Sequence, residues 1–326
     1  MASHFNHGIQ RVLRKLQDSI NSGNYYEAHQ MYRTLYFRYL GQKKYKDLLE
    51  LLYDGTIVLL EREQYTSGAD LGILFIDVLN KAEIVANSLY FDQIQKLFSI
   101  MKAETPERET FLHNAVRWSM KHTNCKWGHP ELHTMIAKIF WQEENYAMAR
   151  KHFVYGNNGE GCAAMLIKLQ QERGYSDEVD FFIVQIVLQY LCLRNTKSAQ
   201  EAFDYYVSRH PKVNGRPPYS TPLLNFLYFL LKTIEVPSVR AFTVVRAQYS
   251  LSWSRDAWID TYLDKIAEHY FHFQPRRPQR QSLFGSMMQS FFNDLEDEDS
   301  DPEDQASRHR GGNNNASTSQ AAQELD

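Results

Sequence analysis

NYYEAHQMYRTLYFRYL, residues 24–40, carries the clearest helical pattern in the chain. Its apolar residues recur at spacings of three and four, which places them on one face of an α-helix. These residues are Ala28, Met31, Tyr32, Leu35 and Tyr39. Residues 45–60 repeat the pattern with four leucines at helical spacing. Two amphipathic helices therefore follow one another across a short joint.

The rest of the chain also favours helices. Only Pro106 and Pro130 precede residue 210, whereas the other eight prolines lie at 211 or beyond. Sustained alternation of apolar and polar residues is missing, so no run of strands is predicted. Gly215 and two prolines interrupt residues 211–219, which leaves room there for one small β-hairpin. Further helices are predicted at 69–80, 84–101, 106–121, 130–143, 145–155, 160–172, 177–194, 197–209, 221–234, 237–249 and 255–272.

The joints between helices predict how they pack. Short connections make successive helices antiparallel neighbours. Gly23–Ala28 and Glu144–Ala149 both place a turn, an aromatic residue and then a small residue, as in tetratricopeptide-type repeats, although no 34-residue period is found. We therefore predict an all-α fold, a right-handed α-solenoid of stacked antiparallel helix pairs. Phe181–Leu193, apolar nearly all round, should lie at the centre of the stack.

Charge and cysteine content exclude several classes of function. The net charge is −3, but eight acidic residues lie within 294–304, so the remainder carries only a weak, scattered positive charge. Such a surface predicts no nucleic-acid partner. Cys125, Cys162 and Cys192 are far apart and lack CxxC spacing, which disfavours a disulfide framework and a thiolate zinc site.

The N-terminus and the apolar stretches predict a soluble, cytosolic protein. Met1–Gln10 is polar and has no signal-peptide core. The most apolar stretches, 181–193 and 223–231, have about half the ~20 residues that span a bilayer. We therefore expect no direct membrane insertion.

Three regions are expected along the chain: an N-terminal helical-repeat half (1–155), a C-terminal helical-repeat half (156–292) and a tail (293–326). The tail is acidic and polar with almost no large apolar residues, which predicts disorder. Just before it, Leu283–Phe292 is a short apolar segment. That segment either docks on the solenoid as a last helix or serves as a ligand for a partner.

No pattern in the sequence indicates an enzyme, a cofactor site or a metal site. His129 and His133 are four residues apart, but Pro130 stands where a zincin needs its glutamate, so a helix start is the favoured interpretation. Gly156–Gly161 resembles a phosphate loop only in composition and favours a flexible joint between helices. His269 and His272 sit at a predicted helix end, where histidine often caps carbonyls.

The helix in 24–40 has a polar face that could bind a partner. Tyr25, Tyr26, His29, Arg33 and Arg38 cluster there. Arginine and tyrosine are the residue types that anchor protein interfaces. A solvated helix face is the alternative interpretation.

Residues 24–35, NYYEAHQMYRTL, resemble the signature of the Golgi to ER traffic protein 4 family. That family is the helical scaffold of the pathway that delivers tail-anchored membrane proteins to the endoplasmic reticulum. The resemblance covers about residues 8–292. Further matches, in chain order, are Ala69–Leu71, Pro106–Arg108, Gly128–His133, Gly159–Ala163, Val187–Leu193 and Pro222–Phe226.

The resemblance implies a non-enzymatic adaptor with two working ends. In the family the N-terminal half contacts the cytosolic targeting ATPase. The C-terminal half grips a ubiquitin-like-domain partner, which is a small ubiquitin-like protein in fungi and a large BAG-domain chaperone scaffold in animals.

Individual positions carry over from the resemblance. The resemblance implies that Tyr25, Tyr26, His29 and Arg33 of the N-terminal motif, together with Arg38 just after it, form the face that contacts the ATPase. Asp70 lies where the family has an acidic residue that tunes the ATPase. Gly41 stands where the fungal pattern has a basic anchor, and there this chain departs from the family.

The C-terminal partner groove is assigned to the aromatic residues Tyr219, Phe226 and Phe229, which could instead be plain core. Two other functions stay open from sequence. One is a generic helical-repeat subunit of another complex, such as a proteasome-lid or trafficking assembly. The other is a metalloenzyme that uses His129 and His133.

Overall fold

The computed structural model describes residues 2–121, 125–253 and 256–273. In this part of the chain the structure has fifteen helices and no strand, so the prediction of an all-α fold of stacked helix pairs is confirmed. All fifteen belong to one compact unit, Met1–Pro275. The helices are α1 (Ala2–Asn21), α2 (Tyr25–Gly41), α3 (Tyr45–Glu61), α4 (Tyr65–Lys81), α5 (Ser88–Ile100), α6 (Pro106–Met120), α7 (Pro130–Gln142), α8 (Tyr146–Tyr155), α9 (Gly159–Arg173), α10 (Val179–Cys192), α11 (Thr196–Arg209), α12 (Pro222–Glu235), α13 (Val239–Gln248), α14 (Ser250–Trp253) and α15 (Ala257–Phe271).

Helices α2, α3 and α4 form a short structural repeat. Helices α2, α3 and α4 are each 17 residues long. Each begins with a tyrosine, at positions 25, 45 and 65, so the chain advances by the same number of residues per helix. The sequence pattern alone missed this repeat.

The turns between these helices are alike as well. Lys43, Glu63 and Glu83 each have a positive φ, between 51° and 60°. The backbone N–H of Lys44 donates to the carbonyl of Tyr39 at 3.0 Å, the six-residue closure of a Schellman motif. Such a motif ends a helix and reverses the chain within three residues, which makes consecutive helices antiparallel. The same left-handed turn recurs at Glu144 and Arg194.

Helices also pack against their second neighbours. Helix α2 contacts α4, and α4 contacts α6, while α3 contacts α5 and α5 contacts α7. Even-numbered and odd-numbered helices therefore form two separate rows in this part of the stack. Because α2 and α4 are both exposed on one side, side chains of the two helices meet on the same surface.

Helix α10 is the centre of the second part of the stack, as predicted. It packs against α8, α9, α11, α12 and α15. Eleven of its fourteen residues are buried. A helix surrounded in this way has no polar face to present, which explains its nearly continuous apolar sequence.

Some predicted boundaries were wrong. Helix α1 was not predicted, although Ile9 and Leu16 are buried at a spacing of two helical turns. Helix α4 begins at Tyr65, four residues before the predicted start at 69. Helix α5 begins at Ser88, not at 84, because the side chain of Asn87 accepts a hydrogen bond from the Tyr90 N–H and caps it there.

The small β-hairpin considered for 211–219 does not form. Its polar groups bond to side chains: Asn214 Nδ2 donates to the Pro218 carbonyl at 2.8 Å. The Tyr219 N–H donates to Asn225 Oδ1 at 2.8 Å. Pro217 and Pro218 lack the N–H groups that a strand ladder needs, so an irregular loop takes the place of strands.

Two sequence expectations lie outside the described residues: the docking of Leu283–Phe292 and the disorder of 293–326. Among the helices in the described part of the chain, none combines the length and the apolar character that crossing a membrane requires.

Candidate protein-interaction site

Three of the residues assigned to the N-terminal interface meet at one carboxylate. His29 Nε2–H donates to Asp70 Oδ2 at 2.8 Å. Arg33 Nη1 lies 3.3 Å and 3.4 Å from the two carboxylate oxygens of Asp70. The His29 side chain is mostly buried, whereas Asp70 and Arg33 are partly exposed. A mixed-charge cluster with accessible Arg33 and Asp70 thus bridges α2 and α4.

The geometry of α2 explains why this cluster forms. His29 and Arg33 are four residues apart and therefore lie on the same side of the helix. The core side of α2 is supplied by other residues, among them Ala28 and Tyr32, which are buried. The polar side is thereby turned towards α4 and brought within reach of Asp70.

The remaining N-terminal candidates do not join the cluster. Tyr26 is 79% exposed, and Tyr25 is half-buried. Arg38 is exposed, and its Nη1 lies 3.5 Å from the carbonyl oxygen of Gly8 on α1. Five residues separate Arg38 from Arg33, which rotates it well away from the α4 side of the helix. Arg38 therefore belongs to a different surface, beside α1.

A second cluster joins α2 to α4 farther along both helices, and sequence reasoning missed it. The Tyr36 hydroxyl donates to Asp77 Oδ2, and Lys81 Nζ donates to the Tyr36 hydroxyl at 2.9 Å. Lys81 Nζ also lies 2.8 Å from Asp77 Oδ2. Burial and then the hydrogen bond to Asp77 raise the pKa of Tyr36. Hydrogen bonds to Asp77 and then to Tyr36 raise the pKa of Lys81, so an ion pair holds a neutral phenol.

The two clusters show that α2 and α4 run parallel and in register. His29 and Asp70 are 41 residues apart, and so are Tyr36 and Asp77. An equal separation at two points along the helices requires the same direction and phase. That equal separation is the signal in the sequence that would have linked Tyr36 to Asp77.

The C-terminal candidates separate by burial. Phe226 is fully buried, with its ring centroid 4.5 Å from that of Trp253. Tyr219 is also buried, against Phe203 at 5.7 Å. Phe229 is 44% exposed. Phe226 therefore lies on the side of α12 that packs into the core, which matches the alternative interpretation of a core residue, whereas Phe229 lies on the exposed side of the same helix.

Phe229 lies in a small aromatic group at the surface. Its ring centroid is 5.4 Å from Tyr228 and 6.4 Å from Tyr249. Both tyrosines are half-buried. Helix α13, which follows, buries only Phe242. The accessible aromatic surface near the assigned groove therefore centres on Phe229.

The two histidines at the start of α7 are engaged separately. His129 is the N-cap, and its Nδ1 accepts the Glu131 N–H at 3.3 Å. His133 Nε2–H donates to the Trp127 carbonyl at 2.7 Å, and its Nδ1 faces His152 Nδ1 at 2.9 Å. The interpretation as a helix start is confirmed, since α7 begins at Pro130.

The glycine-rich stretch 156–161 is a joint between helices, as favoured from sequence. Helix α8 ends at Tyr155 and α9 begins at Gly159. Asn158 caps α9 by accepting the Gly161 N–H at 2.7 Å. The joint is packed closely, because a Cβ on Gly159 would overlap the backbone of α11.

Comparisons with known proteins agree on one family. The family model described as Golgi to ER traffic protein 4 matches residues 42–292. A Golgi to ER traffic protein 4 homolog from Oryzias latipes is 42% identical, over 90% of this chain and 90% of its own. The homolog from Homo sapiens is 41% identical, over 90% and 89%. A crystal structure of C. therm. Get4 superposes with a TM-score of 0.75 at 27% identity, covering 87% of this chain and 96% of that chain.

Proposed function

The chain belongs to the Golgi to ER traffic protein 4 family, and from this premise we propose that it is a non-enzymatic adaptor that bridges two partners during the delivery of tail-anchored proteins. Family membership implies a role in Golgi-to-ER traffic and tail-anchored protein targeting. The proposed partners are a cytosolic targeting ATPase and a ubiquitin-like or BAG-domain chaperone protein. The proposed location is the cytosol.

The ATPase contact is assigned to the α2–α4 surface. The observation that supports it is the convergence of His29 and Arg33 on Asp70. Residues matched separately to the family motif thereby form one polar cluster, in which the side chains of Arg33 and Asp70 are partly exposed. Charged groups of both signs, fixed by mutual hydrogen bonds, suit a partner that must be oriented as well as bound.

The second contact is assigned to the C-terminal half, 156–292. Phe229 supports this assignment, because it is a large exposed aromatic residue held between two tyrosines. Tyr219 contributes by packing beneath Tyr228, with ring centroids 6.2 Å apart. The ATPase contact is assigned to the N-terminal half, 1–155. Separate parts of one chain would therefore bind the two partners.

The first test is capture from cytosol. A tagged full-length chain is purified from its own organism and the bound proteins are identified by mass spectrometry. We expect the targeting ATPase and a protein with a ubiquitin-like or BAG domain. Recovery of neither, with the chain folded by circular dichroism, would overturn the proposal and favour a subunit of another complex.

The second test separates the two ends. Arg33→Glu should reduce recovery of the ATPase and leave the ubiquitin-like partner unchanged. Phe229→Ala should do the reverse. Loss of both partners with either variant would contradict the assignment of each partner to its own surface.

A further inference from the structure

The α2 surface holds an exposed aromatic residue that the family motif did not assign. Phe37 lies four residues after Arg33 and therefore one turn along the same side of the helix. Its side chain is 64% exposed. Tyr26 lies on the same side, three turns before it. The exposed polar cluster at Asp70 thus has an aromatic ring beyond each end.

The Phe37 ring packs against the buried ring of Tyr36. Its ring meets Tyr36 edge to face, with centroids 5.0 Å apart and planes at 78°. The Tyr36 ring is buried, and its hydroxyl is bonded to both Asp77 and Lys81. Lys81 Nζ also lies 5.6 Å from the Tyr36 ring centroid. The exposed ring therefore rests on a side chain that is fixed at both its face and its hydroxyl.

This arrangement has the anatomy of an interface centre. Aromatic side chains that lose their water on binding supply a large part of the binding energy of protein complexes. Polar groups at the rim orient the partner and exclude water. Here Phe37 lies one turn beyond Arg33 of the Arg33–Asp70 ion pair, and its ring contacts Tyr36, which bonds the Asp77–Lys81 ion pair. The side chains of both ion pairs are partly exposed.

We propose that Phe37 is an apolar anchor that enters a pocket on the targeting ATPase, and that the Tyr36–Asp77–Lys81 cluster positions it. The inference rests on the proposed function, because it takes the ATPase as the occupant of the α2–α4 surface. Continuity with the Asp70 cluster supports that occupant. The interior of the pocket on the ATPase should be apolar. Its rim should carry charged groups of both signs that complement the two ion pairs.

The anchor is tested with the full-length chain and purified targeting ATPase by isothermal titration calorimetry, with and without ATP and Mg²⁺. Phe37→Ala should weaken binding by about tenfold to thirtyfold, the effect of removing an interface hot spot. Leu89→Ala is the matched control, because Leu89 is 61% exposed on α5. The control should change the affinity by less than about twofold.

The positioning role is tested with Tyr36→Phe, which removes only the hydroxyl of a buried ring. Affinity should fall by about twofold to fivefold, and the loss should vanish when Phe37 is already alanine, since coupled residues are not additive. A merely structural role predicts a lower melting temperature with additive losses of affinity. Additive losses would overturn the positioning role.

The outcomes separate this inference from the proposed function. If the wild-type chain fails to bind the ATPase, the proposed function fails. If the wild type binds and Arg33→Glu weakens it, but Phe37→Ala binds like the wild type, then the proposed function stands and the anchor is refuted.

Discussion

His133 and His152 face each other across the hairpin of α7 and α8, with their Nδ1 atoms 2.9 Å apart and both rings buried. His133 uses its Nε2–H on the Trp127 carbonyl, so in the neutral ring its Nδ1 is the acceptor. The proton between the rings therefore belongs to His152. A second proton between the rings would put a positive charge on His133 and leave two N–H donors facing each other inside the protein.

Acid should therefore destabilise the fold. Burial lowers the pKa of His133 to about 4 and holds the pKa of His152 well below its usual value. In the unfolded chain both would titrate near 6.5. Between pH 6.5 and about 4 the unfolded state binds more protons, so the free energy of unfolding falls as the pH falls, by about 1 kcal/mol per pH unit for each ring.

The measurement is urea unfolding at pH 7, 6 and 5 for the wild type and for His152→Phe. The variant keeps a ring but cannot titrate at that position. It should be less stable at pH 7 and lose less stability on acidification. An equal loss in both proteins would contradict the assignment of the acid sensitivity to this pair.

Arg108 should be the most costly charged residue to remove from α6. Its guanidinium is buried, donates to both oxygens of Glu143, bonds the Phe98 carbonyl at 3.2 Å and lies 4.0 Å from the Phe98 ring. Arg108→Ala should lower the free energy of unfolding by about 3 kcal/mol, since Glu143 loses its partner. Arg173→Ala should cost less than about 1 kcal/mol, because its 3.7 Å pair with Glu144 is exposed.

A charge exchange will show whether the Asp70 cluster acts within the chain or on the partner. Arg33→Asp and Asp70→Arg should each weaken ATPase binding by about tenfold, and neither should alter the far-ultraviolet circular dichroism. The double variant restores an ion pair between α2 and α4 but presents reversed charges. Binding should stay weak in the double variant, as measured by calorimetry. Full recovery would mean that the pair matters only inside the scaffold.

The left-handed turns predict that glycine has opposite effects on the free energy of unfolding at two nearby positions, Glu63 and Glu50. Glu63 is exposed and has a φ of 60°, which glycine adopts without steric cost. Glu63→Gly should therefore raise the free energy of unfolding by about 0.5 kcal/mol. Glu50→Gly, at an exposed position inside α3, should lower it by about 1 kcal/mol. Thermal unfolding of the two variants compares them directly, and a loss of stability for both would be the contrary result.

Alanine substitution should also have different effects on stability at two glycines outside these turns, Gly159 and Gly41. A Cβ on Gly159 would overlap the carbonyl of Ser198 and lie 2.9 Å from the Ala202 nitrogen, so Gly159→Ala should cost about 2 kcal/mol. Gly41 has open space around it and no positive φ, so Gly41→Ala should be neutral or stabilise by about 0.5 kcal/mol. Chemical denaturation of both variants measures the difference. Equal effects would show that α9 and α11 can separate without cost.

Much of the fold could be predicted because α2 and α3 have clear amphipathic patterns. Helix α3 was predicted at 45–60 and spans Tyr45–Glu61. The repeat of the turns could not be predicted from composition, because Lys43 and Glu63 occupy positions where glycine is the usual signal. The turn is formed by backbone hydrogen bonds that leave no mark in those side chains.

Residues of the candidate site could be predicted from the sequence where they match a family motif. They could not be predicted where their role depends on whether the side chain is buried. His29, Arg33 and Asp70 were all named from sequence, and they meet in space. Phe226 and Phe229 could not be distinguished, since α12 is apolar on most sides and the pattern does not show which ring faces its neighbours. Phe37 was overlooked because an aromatic residue on an amphipathic helix is ordinarily part of the core.

Helix α3 has a consequence for how this surface can change. Asp70 reaches His29 only because seventeen residues of α3, with one turn at each end, return the chain in phase with α2. One added residue in α3 would rotate everything after it by about 100°. The register of the Asp70 cluster therefore depends on the length of α3 and not on its outward side chains. A helix outside the Asp70 cluster thus sets the spacing of that cluster, and insertions should be tolerated far less in α3 than substitutions.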